Sequence, residues 1–338
     1  MASPIIVTGA AGFIGFHVAK TLIKQGLSVI GIDNFTPFYD PALKTARWAV
    51  LQNHPLFLGK KLDLSENEKV RELFETSQPD HVIHLAAQPG VRYSIEAPFP
   101  YITANITAFL NILEGCRFHP VKHLIYASSS SVYGLNTSLP FSEEDAIQQP
   151  TSLYAATKIA DEAMASAYSH LYAIPASGLR FFTVYGPWGR PDMSVYAFTD
   201  AIAQGKPISV ANSGKVWRDF TYIDDIVEGI IRLLDKPPTA SLSQENTPST
   251  EHNLLHRVYN IGNDHPEELN DLIFLIEDML GKKALRIDKP LPAGDILETW
   301  AAIDRLQKVT GFAPKTSLNE GVKRFIDWYQ SYHATGLK

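Results

Sequence analysis

The 338 residues exceed what one small core needs and point to one large domain or two merged ones. Hydrophobic residues at 45% and charged residues at 20% give the balance of an ordinary globular protein. A net charge of −6 excludes general attraction to nucleic acid or an anionic membrane, so an anionic ligand must be met by locally placed cations and backbone donors.

The single Cys116 excludes an internal disulfide and a multi-cysteine metal site, fits a reducing compartment and reads as a small buried residue. Eleven histidines lack metal-ligand spacing, so no metal is expected. No apolar run reaches the length that crosses a bilayer. Met1-Ala2-Ser3-Pro4 leads into a β-branched run with no basic region or cleavage site. A cytoplasmic protein is expected, without a membrane or nucleic-acid partner.

Along the chain, short and nearly all-apolar runs at 5–7, 29–32, 81–85 and 123–126 predict buried parallel strands. Helical patterns at about 13–25, 66–77, 100–117 and 152–171 alternate with them. Such a β-α-β-α series makes an α/β fold, a Rossmann-type doubly wound sheet with right-handed crossovers, over residues 1–179. The second half is less regular, with helical periodicity near 194–204, 224–234 and 269–280 and a β-like run at 258–261. Residues 180–338 are expected to form mainly a smaller mixed α/β substrate domain, with segments near 218–235 and 256–262 returning to the first. The stretch 236–252 contains Pro237, Pro238 and Pro248 and reads as a long surface loop.

The first strand runs into Thr8-Gly9-Ala10-Ala11-Gly12-Phe13-Ile14-Gly15. Gly9 allows a tight turn, Gly12 a pyrophosphate against the backbone, and Gly15 close helix–strand packing. The phosphates would lie at the helix N-terminus, where unpaired N–H groups and the dipole favour negative charge. A glycine pattern alone also serves a plain turn. Here the second strand ends in Ile32-Asp33, the distance at which a carboxylate meets the adenosine ribose, and an acid there favours NAD over NADP. Asp63 either hydrogen-bonds the adenine amine or caps the helix that follows, and the two readings weigh equally. Small Ala86 and Ala87 let the backbone reach the cofactor. Gly9, Gly12, Phe13, Ile14, Gly15, Asp33, Asn34, Asp63, Leu64, Ala86 and Ala87 make the expected cofactor set.

Tyr154-Ala155-Ala156-Thr157-Lys158 places a phenol and an ammonium four residues apart on one helix face. The lysine and a positive nicotinamide ring favour phenolate, so Tyr154 becomes a base for a sugar hydroxyl. With Ser128-Ser129-Ser130-Ser131 before Val132-Tyr133-Gly134, and the glycine turn, these residues resemble the extended short-chain dehydrogenase/reductases of the nucleotide-sugar epimerase group, over essentially the whole chain. The resemblance implies Ser129 as the residue hydrogen-bonding the reacting hydroxyl. It also implies that Lys158 holds the nicotinamide ribose and that two subunits pair through 100–117 and 152–171 into a homodimer.

The fold does not settle the reaction. Dehydratases of this family carry Asp-Glu where this chain has Ser130-Ser131, and decarboxylating relatives carry Glu at 131, so the resemblance points to epimerisation. Asp33-Asn34-Phe35, the string from Gln88 to Ser94, and the string from Arg180 to Met193 are similar to UDP-glucuronate 4-epimerases. Thr183 stands where many sugar epimerases have Asn. The implied reaction oxidises C4 of the UDP-sugar, turns the 4-keto sugar over and reduces it from the other face. The β-keto acid formed from glucuronate loses carbon dioxide when its carboxylate aligns with the ketone. The resemblance implies that hydrogen bonds from Ser129, Ser130 and Thr183 hold it out of alignment.

Arg218 matches the family's diphosphate-binding arginine. Arg190 is a second cation for the nucleotide or acid end, and Asp295 a contact for the uridine ribose. Asp224 and Asp225 read as a helix cap. A neutral UDP-sugar, UDP-glucose or UDP-N-acetylglucosamine, is the alternative substrate, and decarboxylation ranks below it. A scaffold role conflicts with the intact Ser129, Tyr154 and Lys158.

Overall fold

The structure, a computed structural model, describes residues 3–239, 255–292 and 294–334. The first half runs β1 (Ile5–Thr8), α1 (Phe13–Lys24), β2 (Val29–Asp33), α2 (Pro41–Gln52), β3 (Phe57–Lys61), α3 (Asn67–Ser77) and β4 (His81–His84). It continues through α4 (Val91–Glu96), α5 (Phe99–Tyr101), a π-helical stretch (Ile102–Thr107), α6 (Ala108–Phe118), β5 (His123–Ser129), α7 (Leu153–Tyr172) and β6 (Ala176–Phe181). After these come β7 (Thr183–Tyr185), α8 (Ser194–Ala203), β8 (Pro207–Ala211), β9 (Trp217–Tyr222), α9 (Ile223–Leu234) and β10 (His256–Ile261). The chain closes with β11 (Pro266–Glu268), α10 (Leu269–Leu280), β12 (Leu285–Lys289), α11 (Asp304–Thr310) and α12 (Leu318–Ala334).

Among the described residues, seven parallel strands form the main sheet in the order β10-β6-β5-β4-β1-β2-β3. Alternation along the strands feeds two apolar cores. Ile6, Ile30, Val82 and Leu124 enter one, while Ile5, Val7, Val29, Ile83 and Ile125 enter the other. The Rossmann-type doubly wound fold is what the periodicity predicts. The strand order reverses between β1 and β4, and a crevice opens there beyond the carboxyl ends of the strands.

A smaller mixed α/β part follows. β7 and β9 pair in parallel and β11 adds antiparallel, while β8 and β12 form a second small sheet. β10 joins the main sheet beside β6, and α9 packs on α1, whereas β9 stays in the small sheet.

Several local expectations shift. β3 is an edge strand ending Lys60-Lys61, where only one side chain is buried, so no apolar run announces it. β6 is buried throughout yet reads Ala-Ser-Gly-Leu-Arg-Phe, because Gly178 makes room for the Tyr126 hydroxyl and Arg180 is paired. The helix predicted over 100–117 carries the π-helical stretch, which widens it beside the crevice. Asp224 and Asp225 do not cap α9. Its N-cap is Tyr222 without a side-chain bond, Asp225 accepts the Thr316 amide at 3.0 Å, and Asp224 lies 3.7 Å from Arg324. The loop expected at 236–252 falls, from residue 240 onward, outside the described residues. Among the described residues, no helix is long and apolar enough to cross a membrane.

Candidate active site

A cleft of about 940 Å³ lies at the carboxyl ends of the main-sheet strands and extends under the smaller sheets. The glycine turn forms its floor. Gly9 has φ +68°, and a Cβ there would stand 2.9 Å from the Ala86 amide. A Cβ on Gly15 would stand 2.1 Å from the Gly9 carbonyl oxygen. α1 begins at Gly12 with no side-chain cap, so its first amides point into the cleft's floor unclaimed by a cap. Gly15→Ala is therefore expected to displace the turn and cost about 1–3 kcal/mol of stability. Urea unfolding and equilibrium dialysis with NAD check it; unchanged stability and affinity would show that the turn tolerates the methyl.

Asp33, buried at the end of β2, accepts the Ala11 amide at 3.0 Å and the Phe35 amide at 2.8 Å, which ties it to the glycine turn. Lys44 stands 4.0 Å away; burial lowers its pKa against the pull of Asp33. Asp63 accepts Ser65 N–H at 2.9 Å, Ser65 O–H at 2.7 Å and the Asn34 side-chain amide at 3.0 Å. Burial raises its pKa, but these donors together hold it below the ordinary value. Asp63 does not cap α3, whose N-cap is Glu66; it closes the preceding turn and keeps one edge on the cleft. A bare glycine cradle, uncapped amides and a buried carboxylate at the second strand fit an NAD dinucleotide.

On the facing wall, Ser152 caps α7 by accepting the Ala155 amide at 3.1 Å and so orients the first turn that bears Tyr154. The Tyr154 ring packs edge-on against Tyr101 at 6.1 Å. Lys158 is buried and donates to the Ala127 carbonyl at 2.9 Å and to Asp161 at 3.0 Å. Ser129 ends β5, donating to the Ser131 hydroxyl at 3.2 Å. Behind it, Ser128 donates to Glu162 at 2.5 Å, and Arg180 clamps Glu162 with bonds of 2.9 and 2.8 Å.

Cations collect at the far end. Arg190 pairs with Asp192 at 2.5 Å and overlies the Phe38 ring. Arg218 donates to the Trp217 carbonyl at 2.8 Å and the Leu297 carbonyl at 3.1 Å. Burial lowers its pKa while Asp295 raises it. Asp295 itself is held by Arg92 at 3.1 Å. Gly9, Gly12, Phe13, Ile14, Gly15, Asp33, Asn34, Asp63, Leu64, Ala86 and Ala87 all line this one cleft. So do Ser129, Ser130, Tyr154, Lys158, Thr183, Arg190, Arg218 and Asp295.

The structure adds residues that the sequence reading left without a role. Lys44 and Arg92 line the cleft, and Arg92 carried a signal in its place within the Gln88–Ser94 string. Asn105, in the π-helical stretch, accepts the Gln88 amide at 2.8 Å and donates to Gln88 O at 3.2 Å and Thr157 at 3.0 Å, fixing the loop above Ala86. Arg47, fully buried, donates to the carbonyls of Ala11, Trp188 and Gly189 and to Tyr39, linking the glycine turn to the segment that bears Arg190. No local pattern announces either role, since every partner but Tyr39 is distant in the chain.

Residues 5–262 match the model of the NAD dependent epimerase/dehydratase family. The chain is 49% identical to protein CapI of Staphylococcus aureus over 331 residues, which are 97% of this chain and 99% of that one. It is 48% identical to UDP-glucuronate 4-epimerase 4 of Arabidopsis thaliana over 341 residues, covering 99% of this chain and 77% of that one. Among solved structures, it is similar to the UDP-glucuronic acid 4-epimerase from Bacillus cereus in complex with UDP-glucuronic acid and NAD. The TM-score is 0.87 at 33% identity, covering 97% of this chain and 99% of that one.

Proposed function

We propose that this chain, which belongs to the NAD dependent epimerase/dehydratase family, interconverts UDP-glucuronate and UDP-galacturonate by inverting the sugar's C4. The observation that carries the reading is the shared cleft, with a dinucleotide cradle on one wall, Tyr154, Lys158 and Ser129 on the other, and three arginines beyond. The names of the Arabidopsis and Bacillus relatives support the same sugar acid.

Gly9, Gly12, Gly15, Asp33 and Lys158 would hold NAD, with Phe13, Ile14, Asn34, Asp63, Leu64, Ala86 and Ala87 around it. When bound, NAD supplies the redox chemistry, accepting a hydride from C4 and later returning it. Tyr154 accepts the proton of the 4-hydroxyl and gives it back on the other face. Ser129 donates a hydrogen bond to the C4 oxygen and keeps it in line with Tyr154. Ser130 and Thr183 hold the sugar carboxylate out of the plane that favours loss of carbon dioxide. No carboxylate stands at 130 or 131 to drive dehydration or decarboxylation. Arg218 and Arg190 meet the diphosphate and the acid end. Asp295, steered by Arg92, faces the ribose. Residues 1–179, with α9 and β10, serve mainly the cofactor; the rest of 180–338, β9 with its Arg218 included, serves the UDP-sugar.

Purified protein incubated with UDP-glucuronate, with and without added NAD, is expected to form UDP-galacturonate without releasing carbon dioxide. Turnover of UDP-glucose alone would move the substrate to a neutral sugar, and a UDP-pentose with carbon dioxide would make it a decarboxylase. Arg218→Ala is expected to raise KM by roughly 10–100-fold with little change in kcat, since a charged hydrogen bond to the diphosphate is uniform binding. A fall in kcat at constant KM would remove Arg218 from the diphosphate.

The proposal includes a homodimer in the cytoplasm. Phe99, Ile102 and Leu110, along α5, the π-helical stretch and α6, expose apolar side chains, as do Leu171 and Tyr172 at the end of α7. These side chains lie on the helices through which two subunits would pair. Light scattering is expected to give twice the chain mass; a monomer at micromolar concentration overturns this part.

A further inference from the structure

Tyr154, Lys158 and Asp161 stand at i, i+4 and i+7 of α7, one stripe of a single helix face. Asp161 is 2% exposed and Lys158 4%, so their 3.0 Å contact is a dry ion pair. Lys158 has three N–H bonds; Ala127 and Asp161 take two, which leaves one for the cleft that Lys158 lines. The second carboxylate oxygen of Asp161, Oδ1, is buried with no hydrogen-bond partner among the described residues. Among the described residues, the lysine is therefore the one cation within hydrogen-bond reach of this carboxylate.

The surrounding groups leave that charge uncancelled. On α7 the neighbour Glu162 is neutralised by Arg180 of β6, and Glu114 of α6 is engaged by Tyr168. His84 of β4 and His256 of β10 are pushed down by burial to about 3 and about 4, so both are neutral above pH 5. Tyr126 of β5 is raised by burial and stays protonated. Beside Lys158, among the described residues, Asp161 is the net anion.

We propose that Asp161 is a positioning residue: it anchors the Lys158 ammonium, and its charge offsets part of the stabilisation that Lys158 gives the Tyr154 phenolate. The inference rests on the function proposed above. Asp161 lies about 10 Å along the helix axis from Tyr154, at a rise of about 1.5 Å per residue. At that separation a buried charge moves an ionisation by roughly one pH unit. Burial raises the Asp161 carboxyl to about 6, against Lys158, so the effect exists above that pH and fades below it.

The test is the pH profile of kcat/KM for UDP-glucuronate with wild type, Asp161→Asn and Asp161→Ser holoenzymes. Both variants fit the side chain's volume and remove its charge. The acid limb is expected to move down by roughly one pH unit in both, with the alkaline plateau within a few-fold of wild type and the curves converging below about pH 6. An unmoved limb, an upward shift, or a uniform loss at every pH would leave Asp161 as packing and overturn the inference. Wild-type turnover in the same assay separates this outcome from failure of the proposed reaction. If one variant does not fold, the other carries the same expectation.

Discussion

Tyr154→Phe is expected to lower kcat by about 10²–10⁴-fold while leaving substrate and NAD affinity within a few-fold. The ring still packs on Tyr101, because only the hydroxyl is lost, so the first turn of α7 and its Ser152 cap remain. Without the hydroxyl, the group proposed to accept the proton as C4 becomes a ketone is gone. Ser129 keeps its bond to Ser131. Single-turnover measurement with saturating UDP-glucuronate isolates the step. A kcat within tenfold of wild type would move the acid–base role to another group and unseat the catalytic assignment.

The second large effect concerns stability. Arg180→Met is expected to destabilise the fold by about 3–5 kcal/mol, because it strands Glu162 as a buried, unpaired charge. Glu162 accepts two bonds from Arg180 and one from Ser128, and Arg180 also donates to Tyr133 at 3.0 Å, whose hydroxyl donates to Asn260 at 2.6 Å. This network joins β5, α7, β6 and β10 directly behind Ser129. Replacing both partners, Arg180→Met with Glu162→Leu, should recover much of the loss, since an apolar pair leaves no charge behind. Urea unfolding checks both. A single variant within 1 kcal/mol of wild type, on the scale of an ordinary surface change, would mean that the pair is solvated.

The cofactor wall was the most legible part of the chain, and the reason is range. A glycine turn, the helix it opens and the acid at the end of β2 lie within residues 8–33, and each local constraint is steric or electrostatic. Gly15 is required because a Cβ would meet Gly9 O at 2.1 Å, a contact seven residues long at most. Tyr154 and Lys158 were legible for the same reason, since helical spacing alone sets them on one face. Thr183, Arg190 and Arg218 came through likeness to a family; spacing said nothing of where they would meet.

Chain-local chemistry therefore determined by itself the buried parallel strands, the dinucleotide turn and the paired phenol and ammonium. Only the tertiary structure decided what those groups face. Packing of α7 takes Asp161 out of water and leaves it with Lys158. Arg47 is buried against carbonyls up to 142 positions away. Arg92 meets Asp295 across 203 positions. Periodicity encodes which side of an element is apolar, but which distant polar group arrives there, and whether water follows it, depends on how the layers close.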